Sequence, residues 1–258
     1  MASVARLAAT LQSAPTEMAI GAALMDACPI SAPGMGMYLF STGEVASEVH
    51  VRGVPDRFID DCERFGRAAD VLMPAMARSH APVHDALLGS WEWWTSTTHY
   101  RQIGEPYALA HYLLAPVVTG GRLVGSIHLV RRSGEEAFGP HDLALASAMS
   151  LHVSTRLESL RVARSALATW APMLTPRQMD TAELIVNGLT NRQIGTALGL
   201  SVDGVKKHVR DLFRKLNVGS RAELTTVLHT SSPAPAPAPK RRSRGLPGNS
   251  DALVHYWA

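Results

Sequence analysis

The helix boundaries between residues 174 and 224 constrain the fold of this chain more than any other feature of its sequence. A hydroxyl residue followed three positions later by Gln or Glu marks helix starts at Thr175, Thr190 and Ser220, and Ser201 offers a fourth N-cap. Gly188 lies where the first helix should end. Only Gly199-Leu200-Ser201 separates the second helix from the third. This spacing predicts a helix-turn-helix within an all-α four-helix domain.

The third of these helices has an apolar face and a cationic face. Its apolar residues recur at helical spacing and are Val205, Val209, Leu212, Phe213 and Leu216. The opposite side then carries Lys206, Lys207, Arg210 and Arg214. All four lysines of the chain lie beyond residue 200, and the last third of the sequence is basic. Since Lys and Arg can reach guanine O6 and N7 in the major groove, we expect double-stranded DNA as the partner of this domain.

The segment resembles the LuxR/GerE-type helix-turn-helix of bacterial transcription regulators across LTPRQMDTAELIVNGLTNRQIGTALGLSVDGVKKHVRDLFRKLNVGSRAEL. The resemblance implies that the second and third helices bind DNA and that the fourth commonly contributes to dimerisation. Residues that it places on base edges are Lys206, Lys207 and Arg210, with Val205 at the floor of the groove. Residues that it places on phosphates are Thr190, Asn191 and Arg192. Gly204 stands where the family usually has Thr, which removes one hydroxyl contact.

Upstream of residue 170 the signals are of mixed type. Strand-like stretches at Gly36–Ser41 and Val45–Val51 precede helix-like stretches, and Thr119-Gly120-Gly121 joins two apolar runs as an antiparallel hairpin over Leu113–Val130. Apolar spacing then predicts a long helix from Pro140 to about Arg164. This order resembles a GAF-type domain over roughly residues 15–165. The expected fold class is an α+β GAF-like domain, an antiparallel sheet with flanking helices, followed by the all-α helix-turn-helix domain. A phospho-receiver domain is disfavoured, because residues 1–60 lack the alternation of a parallel α/β fold.

Aromatic residues cluster between positions 91 and 112. In domains of the GAF type this stretch lies beside the ligand cavity, so the resemblance implies a candidate ligand set. Its members are Trp91, Trp93, Trp94, Tyr100, Arg101 and Tyr112, with His84 and His99 nearby. Aromatic residues this close in sequence are equally typical of a second core layer or a dimer face. The N-terminal domain is therefore either a small-molecule sensor or a ligand-free scaffold for dimerisation or protein interaction.

Motifs of catalysis and of cofactor or metal binding are not evident in the sequence. It has no nucleophile elbow, phosphate loop or metalloprotease motif, so we expect no enzyme activity and no cofactor. Pro82 between His80 and His84 argues against a helical metal-ligand pair, and we expect no metal. Two cysteines, no secretory signal and no apolar run long enough to span a membrane indicate a cytoplasmic protein without structural disulfides.

Composition changes near residues 170 and 230, which divides the chain into four parts. We expect a GAF-like sensor and dimerisation domain at 1–165, a linker at 166–173, the DNA-binding domain at 174–229 and a disordered Pro/Ala-rich, basic tail at 230–258. Six residues of the long helix occupy a and d positions of about three heptads. They are Leu143, Ala146, Ser150, Val153, Leu157 and Leu160, and they predict a homodimer seam, unless they only cover the sheet of their own domain. RNA polymerase is a further candidate partner.

Overall fold

The computed structural model of the protein describes residues 2–40 and 46–229. The predicted tail at 230–258 lies outside the described residues. The N-terminal part contains five strands: β1 (Gly34–Phe40), β2 (Ala46–Arg52), β3 (Val83–His84), β4 (Leu109–Thr119) and β5 (Arg122–Arg132). Its helices are α1 (Ala2–Gln12), α2 (Glu17–Ala27), α3 (Asp56–Asp61), α4 (Arg67–Ala69), α5 (Leu72–Ser79), α6 (Asp85–Leu88), α7 (Trp91–Ser96) and α8 (Pro140–Ala168). Single π-helical turns occupy Cys62–Gly66 and Tyr100–Gly104, and a 3₁₀ turn occupies Glu105–Tyr107.

The strands form one antiparallel sheet in the order β2-β1-β5-β4-β3. Strands β4 and β5 form the predicted hairpin, and Gly120 and Gly121 turn the chain between them with positive φ. The α+β fold class is confirmed. In the part of the chain that the structure describes, no helix combines the length and the apolar character needed to cross a membrane.

The two faces of the sheet bury different layers, because side chains alternate along each strand. Met37, Leu113 and Ile127 lie on the first face and pack with α1, α2 and α8 in one apolar core. The second face is covered by the helical excursion between β2 and β4, residues 56–107, where Phe58 and Trp94 belong to a separate core. The sheet therefore lies between a layer of long helices and a layer of short ones.

Helix α8 lies along the first face of the sheet, and this position corrects the predicted dimer seam. Ala146, Val153 and Leu157 are at most 1% exposed and belong to the core of their own domain. Ser150 donates to the carbonyl oxygen of Pro116 on β4. The seam failed as a prediction because a heptad pattern does not distinguish a helix packed on a partner helix from one packed on its own sheet.

The C-terminal part contains α9 (Pro176–Val186), α10 (Asn191–Leu198), α11 (Val202–Leu216) and α12 (Arg221–His229). Reciprocal capping boxes start α9 and α10, as the sequence predicted, through Thr175 with Gln178 and Thr190 with Gln193. Gly199 ends α10 at φ +64°. The segment 166–173 contributes to this core, since Leu167 and Trp170 pack with the apolar residues of α9–α12. Where a linker was expected, α8 therefore runs directly into the helical domain.

Candidate nucleic-acid interface and ligand cavity

The cationic face of α11 is exposed to solvent along its length. Lys206 Nζ lies 3.0 Å from Asp203 Oδ1, and Arg214 Nη2 lies 2.9 Å from Asp211 Oδ1. Both pairs join residues three positions apart at the surface, with Asp211 half-buried, and a surface ion pair adds little stability and is easily exchanged. Lys207 is exposed and forms no ion pair within residues 2–40 and 46–229. A phosphate or a base edge can therefore replace the intrahelical carboxylates without disturbing the fold.

Val205 does not belong to this face, which corrects its expected place at the floor of the groove. Its side chain is fully buried with Ile194 and Leu212 in the core of the helical domain. Position 205 shares a helix face with Val209 and Leu212, so it turns inward. On the exposed side the first apolar residue of α11 is Val202, which is 40% exposed.

The start of α10 presents the residues expected to contact phosphate. The Thr190 hydroxyl is engaged in the cap, because it accepts from the Gln193 N–H and donates to Gln193 Oε1 at 2.9 Å. Asn191 Oδ1 accepts from Arg221 Nη1 at 3.3 Å, and Arg221 also donates to the Leu189 carbonyl oxygen. Arg192 is exposed. Sequence reasoning missed Arg221, which joins α12 to the start of α10; its only signal was a basic residue in the first turn of α12.

Most side chains of the predicted aromatic ligand set pack against other aromatic residues or face solvent. Trp94 is buried and its Nε1–H donates to the Ala110 carbonyl oxygen at 2.8 Å. Trp91 and Trp93 are 46% and 39% exposed. The Tyr100 ring packs edge-on against Trp91 and Trp94, at centroid distances of 5.7 and 6.0 Å.

Among the six predicted ligand residues, the structure corrects five. Arg101 is exposed, and like Trp91, Trp93, Trp94 and Tyr100 it does not line the cavity. Helix α7 and the following π-helical turn pair these side chains with one another or leave them in solvent. Tyr112 does line the cavity, because it projects from β4 onto the second face of the sheet.

A cavity of about 900 Å³ lies between the second face of the sheet and the helical excursion. Its floor includes Tyr38 from β1, Tyr112 from β4, and Ser126 and His128 from β5. Its roof includes Phe58, Cys62, Leu72 and Met73. A volume of this size is typical of small-molecule sites, which run from about 300 to 1,000 Å³.

Local geometry at the floor depends on Gly36. Gly36 pairs with His128 across β1 and β5, and a Cβ at position 36 would come within 2.9 Å of Tyr38 Cε2. Because Gly36 has no side chain, the Tyr38 ring lies over the strand and meets the His128 ring at a centroid distance of 4.6 Å. Ser126 Oγ lies 2.8 Å from His128 Nε2. These three side chains form one connected polar group, which we call the floor cluster: Tyr38, Ser126 and His128.

Burial favours the neutral forms of the histidine, tyrosine and cysteine side chains that line the cavity. Burial lowers the pKa of His128 to about 4, and burial lowers the pKa of His99 although Asp70 opposes the shift. Burial raises the pKa of the Cys62 thiol to about 12. The pKa of Tyr38 is also raised by burial. At pH 7 the floor cluster therefore carries no charge.

The floor residues were missed from sequence, although β5 carried a signal for them. In this strand Ser126 and His128 alternate with the buried Ile127 and Leu129. Polar residues at alternate positions of an apolar strand indicate a second face with its own chemistry. Tyr38 occupies the matching position between Met37 and Leu39 on β1.

Helix α8 contacts both the cavity and the helical domain within one turn. Arg161 lines the cavity near the β4–β5 turn, where its Nη1 donates to Thr119 Oγ1 at 2.9 Å. Three residues later, Arg164 Nε donates to Glu183 Oε1 on α9 at 3.1 Å. The end of the cavity and the helical domain are thus contacted from a single turn of α8.

Comparison with known proteins gives matches to both parts of the chain. Residues 172–228 match the family model described as "Bacterial regulatory proteins, luxR family", and residues 79–157 match the GAF domain model. The nitrate/nitrite response regulator protein NarP of Escherichia coli K12 is 45% identical over 53 residues, which are 20% of this chain and 25% of that protein. A putative HTH-type transcriptional regulator in the exeN 3′ region of Aeromonas salmonicida is 35% identical over 103 residues, which are 40% of this chain and 52% of that protein.

Among solved structures, the GAF domain from a phosphoenolpyruvate-protein phosphotransferase of Coxiella burnetii is 16% identical to this chain. That match covers 62% of this chain and 93% of that one, with a TM-score of 0.42. Against NarP and the Aeromonas protein, the chain spans between a quarter and about half of the relative's length.

Proposed function

We propose that this chain, which carries a GAF domain followed by a LuxR-type helix-turn-helix domain, is a transcription regulator that binds DNA as a homodimer and responds to a small molecule. The observation that carries the DNA-binding part is the cationic face of α11, where Lys206, Lys207 and Arg210 are all exposed. Among the described residues, no charged side chain from the GAF domain pairs with them. The face is therefore available to the major groove.

The proposed contacts divide into base reading and phosphate binding. Lys207 and Arg210 lie one turn apart on the centre of α11, and they are placed to reach base edges when the helix enters the groove. Arg192 and the start of α10 lie toward the phosphate backbone, and Arg214 lies at the far end of α11. Phosphate contacts set orientation and salt dependence, and base contacts set sequence preference.

DNA binding is tested by fluorescence anisotropy on an operator selected from a random library, with a scrambled duplex beside it. Lys207→Ala or Arg210→Ala should cost about 1–3 kcal/mol on the selected sequence and much less on the scrambled one. Arg78→Ala is the matched control, because Arg78 is an exposed base on α5 of the GAF domain. Equal losses on both duplexes would show that these residues touch only phosphate.

The homodimer is proposed on the outer side of α8. Leu151 and Val162 are 65% and 56% exposed and lie about three helical turns apart on the same side of the helix. Sedimentation velocity at micromolar concentration should show a dimer that Leu151→Arg with Val162→Arg dissociates. Leu87→Arg is the control, since Leu87 is 57% exposed and lies on α6 instead of α8. A wild-type monomer would contradict the proposal.

Coupling between the two domains is proposed to run through α8. A molecule in the cavity meets Arg161 at the end nearest the β4–β5 turn, and any change in the Arg161–Thr119 bond displaces the turn that carries Arg164. Because α8 continues into the helical core through Leu167 and Trp170, a small rotation of the helix re-orients the DNA-binding domain. In a dimer, that rotation changes the separation of the two recognition helices.

A ligand-free scaffold is the alternative for the GAF domain. The sensor and the scaffold differ in the effect of a bound molecule on operator affinity. A probe that occupies the cavity changes the anisotropy curve of a sensor and leaves that of a scaffold unchanged.

A further inference from the structure

We propose that the cavity takes an electrically neutral molecule with an apolar, aromatic body and a hydroxyl or carbonyl group that hydrogen-bonds to His99 and Tyr112 beside the floor cluster. The inference rests on the proposed small-molecule function of the GAF domain and adds the chemical class of the ligand. Three properties of the cavity carry it: the placement of charge, the unmet hydrogen-bonding capacity of the wall, and the composition of the roof.

Charge placement disfavours an anion. Among the described residues that line the cavity, the only Lys or Arg side chains are Arg122 and Arg161. Both lie at the end next to the β4–β5 turn, and Arg161 already bonds to Thr119 and lies 3.8 Å from Glu17. The histidines of the interior are neutral, so they offer no compensating charge. A carboxylate or phosphate at the floor would be buried without a counterion, which is costly.

The charged residues of the cavity lining also disfavour a cation as the ligand. Asp70 is the partly buried carboxylate of the wall, and its Oδ1 accepts from the amide N–H groups of Leu72 and Met73 at 2.8 and 3.0 Å. These two charge-assisted bonds hold the carboxylate at the start of α5 and disperse part of its negative charge, which weakens its attraction for a cation. Glu63, the other acid of the lining, is exposed and has an interaction of its own.

Two side chains beside the floor cluster have buried polar atoms without a hydrogen-bond partner in the part of the chain that the structure describes. Both ring nitrogens of His99 and the hydroxyl of Tyr112 are buried and have no hydrogen-bond partner among the described residues. The two rings meet edge to face at a centroid distance of 5.2 Å, and both line the cavity. A buried polar group without a partner is rare in folded proteins. A hydroxyl group both donates and accepts, so a single one can serve a neutral imidazole and a phenol at once.

The roof and the floor rings define the body of the ligand. Phe58, Leu72 and Met73 form an apolar roof opposite the rings of Tyr38 and Tyr112. Aromatic rings pack favourably on such side chains, and the volume is in the range of small-molecule sites. The cavity thus matches a neutral hydroxylated aromatic compound.

Four probes that share a biphenyl body test the proposal by isothermal titration of the full-length protein. They are biphenyl-4-ol, biphenyl, biphenyl-4-carboxylate and 4-phenylbenzylammonium. Biphenyl-4-ol should bind about tenfold more tightly than each of the others, because it alone is neutral and hydrogen-bonds. The proposal is overturned if the carboxylate, the ammonium or plain biphenyl binds as tightly, or if none of the four binds.

Amino-acid substitutions test whether biphenyl-4-ol binds in this cavity. Tyr112→Phe removes only the unpartnered hydroxyl and should weaken biphenyl-4-ol about fivefold. Tyr100→Phe makes the same chemical change outside the cavity and should leave the affinity unchanged. Gly36→Ala, which displaces the Tyr38 ring, should weaken binding while every polar group stays present. Circular dichroism spectra verify that each variant is folded. An equal effect of Tyr112→Phe and Tyr100→Phe would overturn the assignment to this cavity.

Operator binding without any probe separates this inference from the proposed function. If the operator is bound and no probe binds, the ligand class is wrong and the DNA-binding function stands. If biphenyl-4-ol binds selectively and no operator is found, the ligand class stands and the DNA-binding function fails. A selective probe that leaves operator affinity unchanged refutes the sensor function alone.

Discussion

Protonation of His128 is expected to destabilise the GAF domain below neutral pH. The native pKa is lowered to about 4 by burial, whereas an unfolded histidine titrates near 6.5. As the pH falls through 6.5 the unfolded chain takes up a proton that the native protein does not, so stability decreases with decreasing pH down to about 4. Above pH 7 this histidine contributes no further pH dependence.

The magnitude follows from the two pKa values. Linkage gives a loss from His128 of about 0.2 kcal/mol at pH 7 and about 2 kcal/mol at pH 5, relative to high pH. His128→Gln removes the titration and keeps a polar side chain in reach of Ser126. The variant should therefore lose about 2 kcal/mol less than the wild type between pH 7 and pH 5.

Two assays check this expectation. Side-chain NMR of ¹³C-labelled histidine, with the His128 resonance assigned by its loss in His128→Gln, reads the native pKa directly. Urea unfolding at pH 7, 6 and 5 reads the stability, with exposed His141→Gln as the control. A His128 resonance that titrates near 6.5, or parallel pH profiles for wild type and His128→Gln, would refute the placement of this ring in a desolvated cavity.

Three further outcomes are expected from particular contacts. Gly195→Ala should lower the melting temperature of the helical domain, measured by calorimetry, because its Cβ would meet the Leu200 carbonyl oxygen at 2.7 Å; an unchanged transition would mean that the turn relaxes freely. Thr190→Ala should cost about 1 kcal/mol in urea unfolding through the lost cap of α10, and Thr190→Ser should restore most of it. Cys62 should react slowly with a disulfide reagent at pH 8 in native protein and rapidly in urea, since burial raises its thiol pKa to about 12; rapid native labelling would contradict its burial.

The helical domain was the part most fully predicted from sequence, for a local reason. Its helix starts and stops depend on residues at most four positions apart, such as Thr190 with Gln193 or Gly199 after Leu198. Capping is a short-range interaction, so its signal is complete in the sequence. The one error on α11, Val205, came from carrying a role over by resemblance where helical periodicity already placed the residue with Val209 and Leu212 on the buried face.

The cavity was less predictable because it is assembled from segments that are distant in sequence. Tyr38 and His128 are 90 positions apart and meet only through the pairing of β1 with β5. The candidate ligand set was chosen because aromatic residues are concentrated at 91–112. Closeness in sequence does not determine whether a side chain faces the cavity or solvent. A better guide was the alternation of Ser126 and His128 with apolar neighbours, which reports the second face of the sheet directly.

The burial of the α8 seam also constrains the proposed coupling between the cavity and the helical domain. A helix that is packed by Ala146, Val153 and Leu157 against its own sheet cannot open a dimer by sliding along that seam, because the movement would expose the core. Its C-terminal turns are also packed, because Leu160, Ala163 and Leu167 are buried there, and Arg161 and Arg164 add polar contacts to Thr119 and Glu183. Polar contacts of this kind are exchanged more easily than apolar packing, so in the proposed coupling a molecule in the cavity acts on them first. Arg161 at the cavity and Arg164 at the helical domain are one turn of α8 apart.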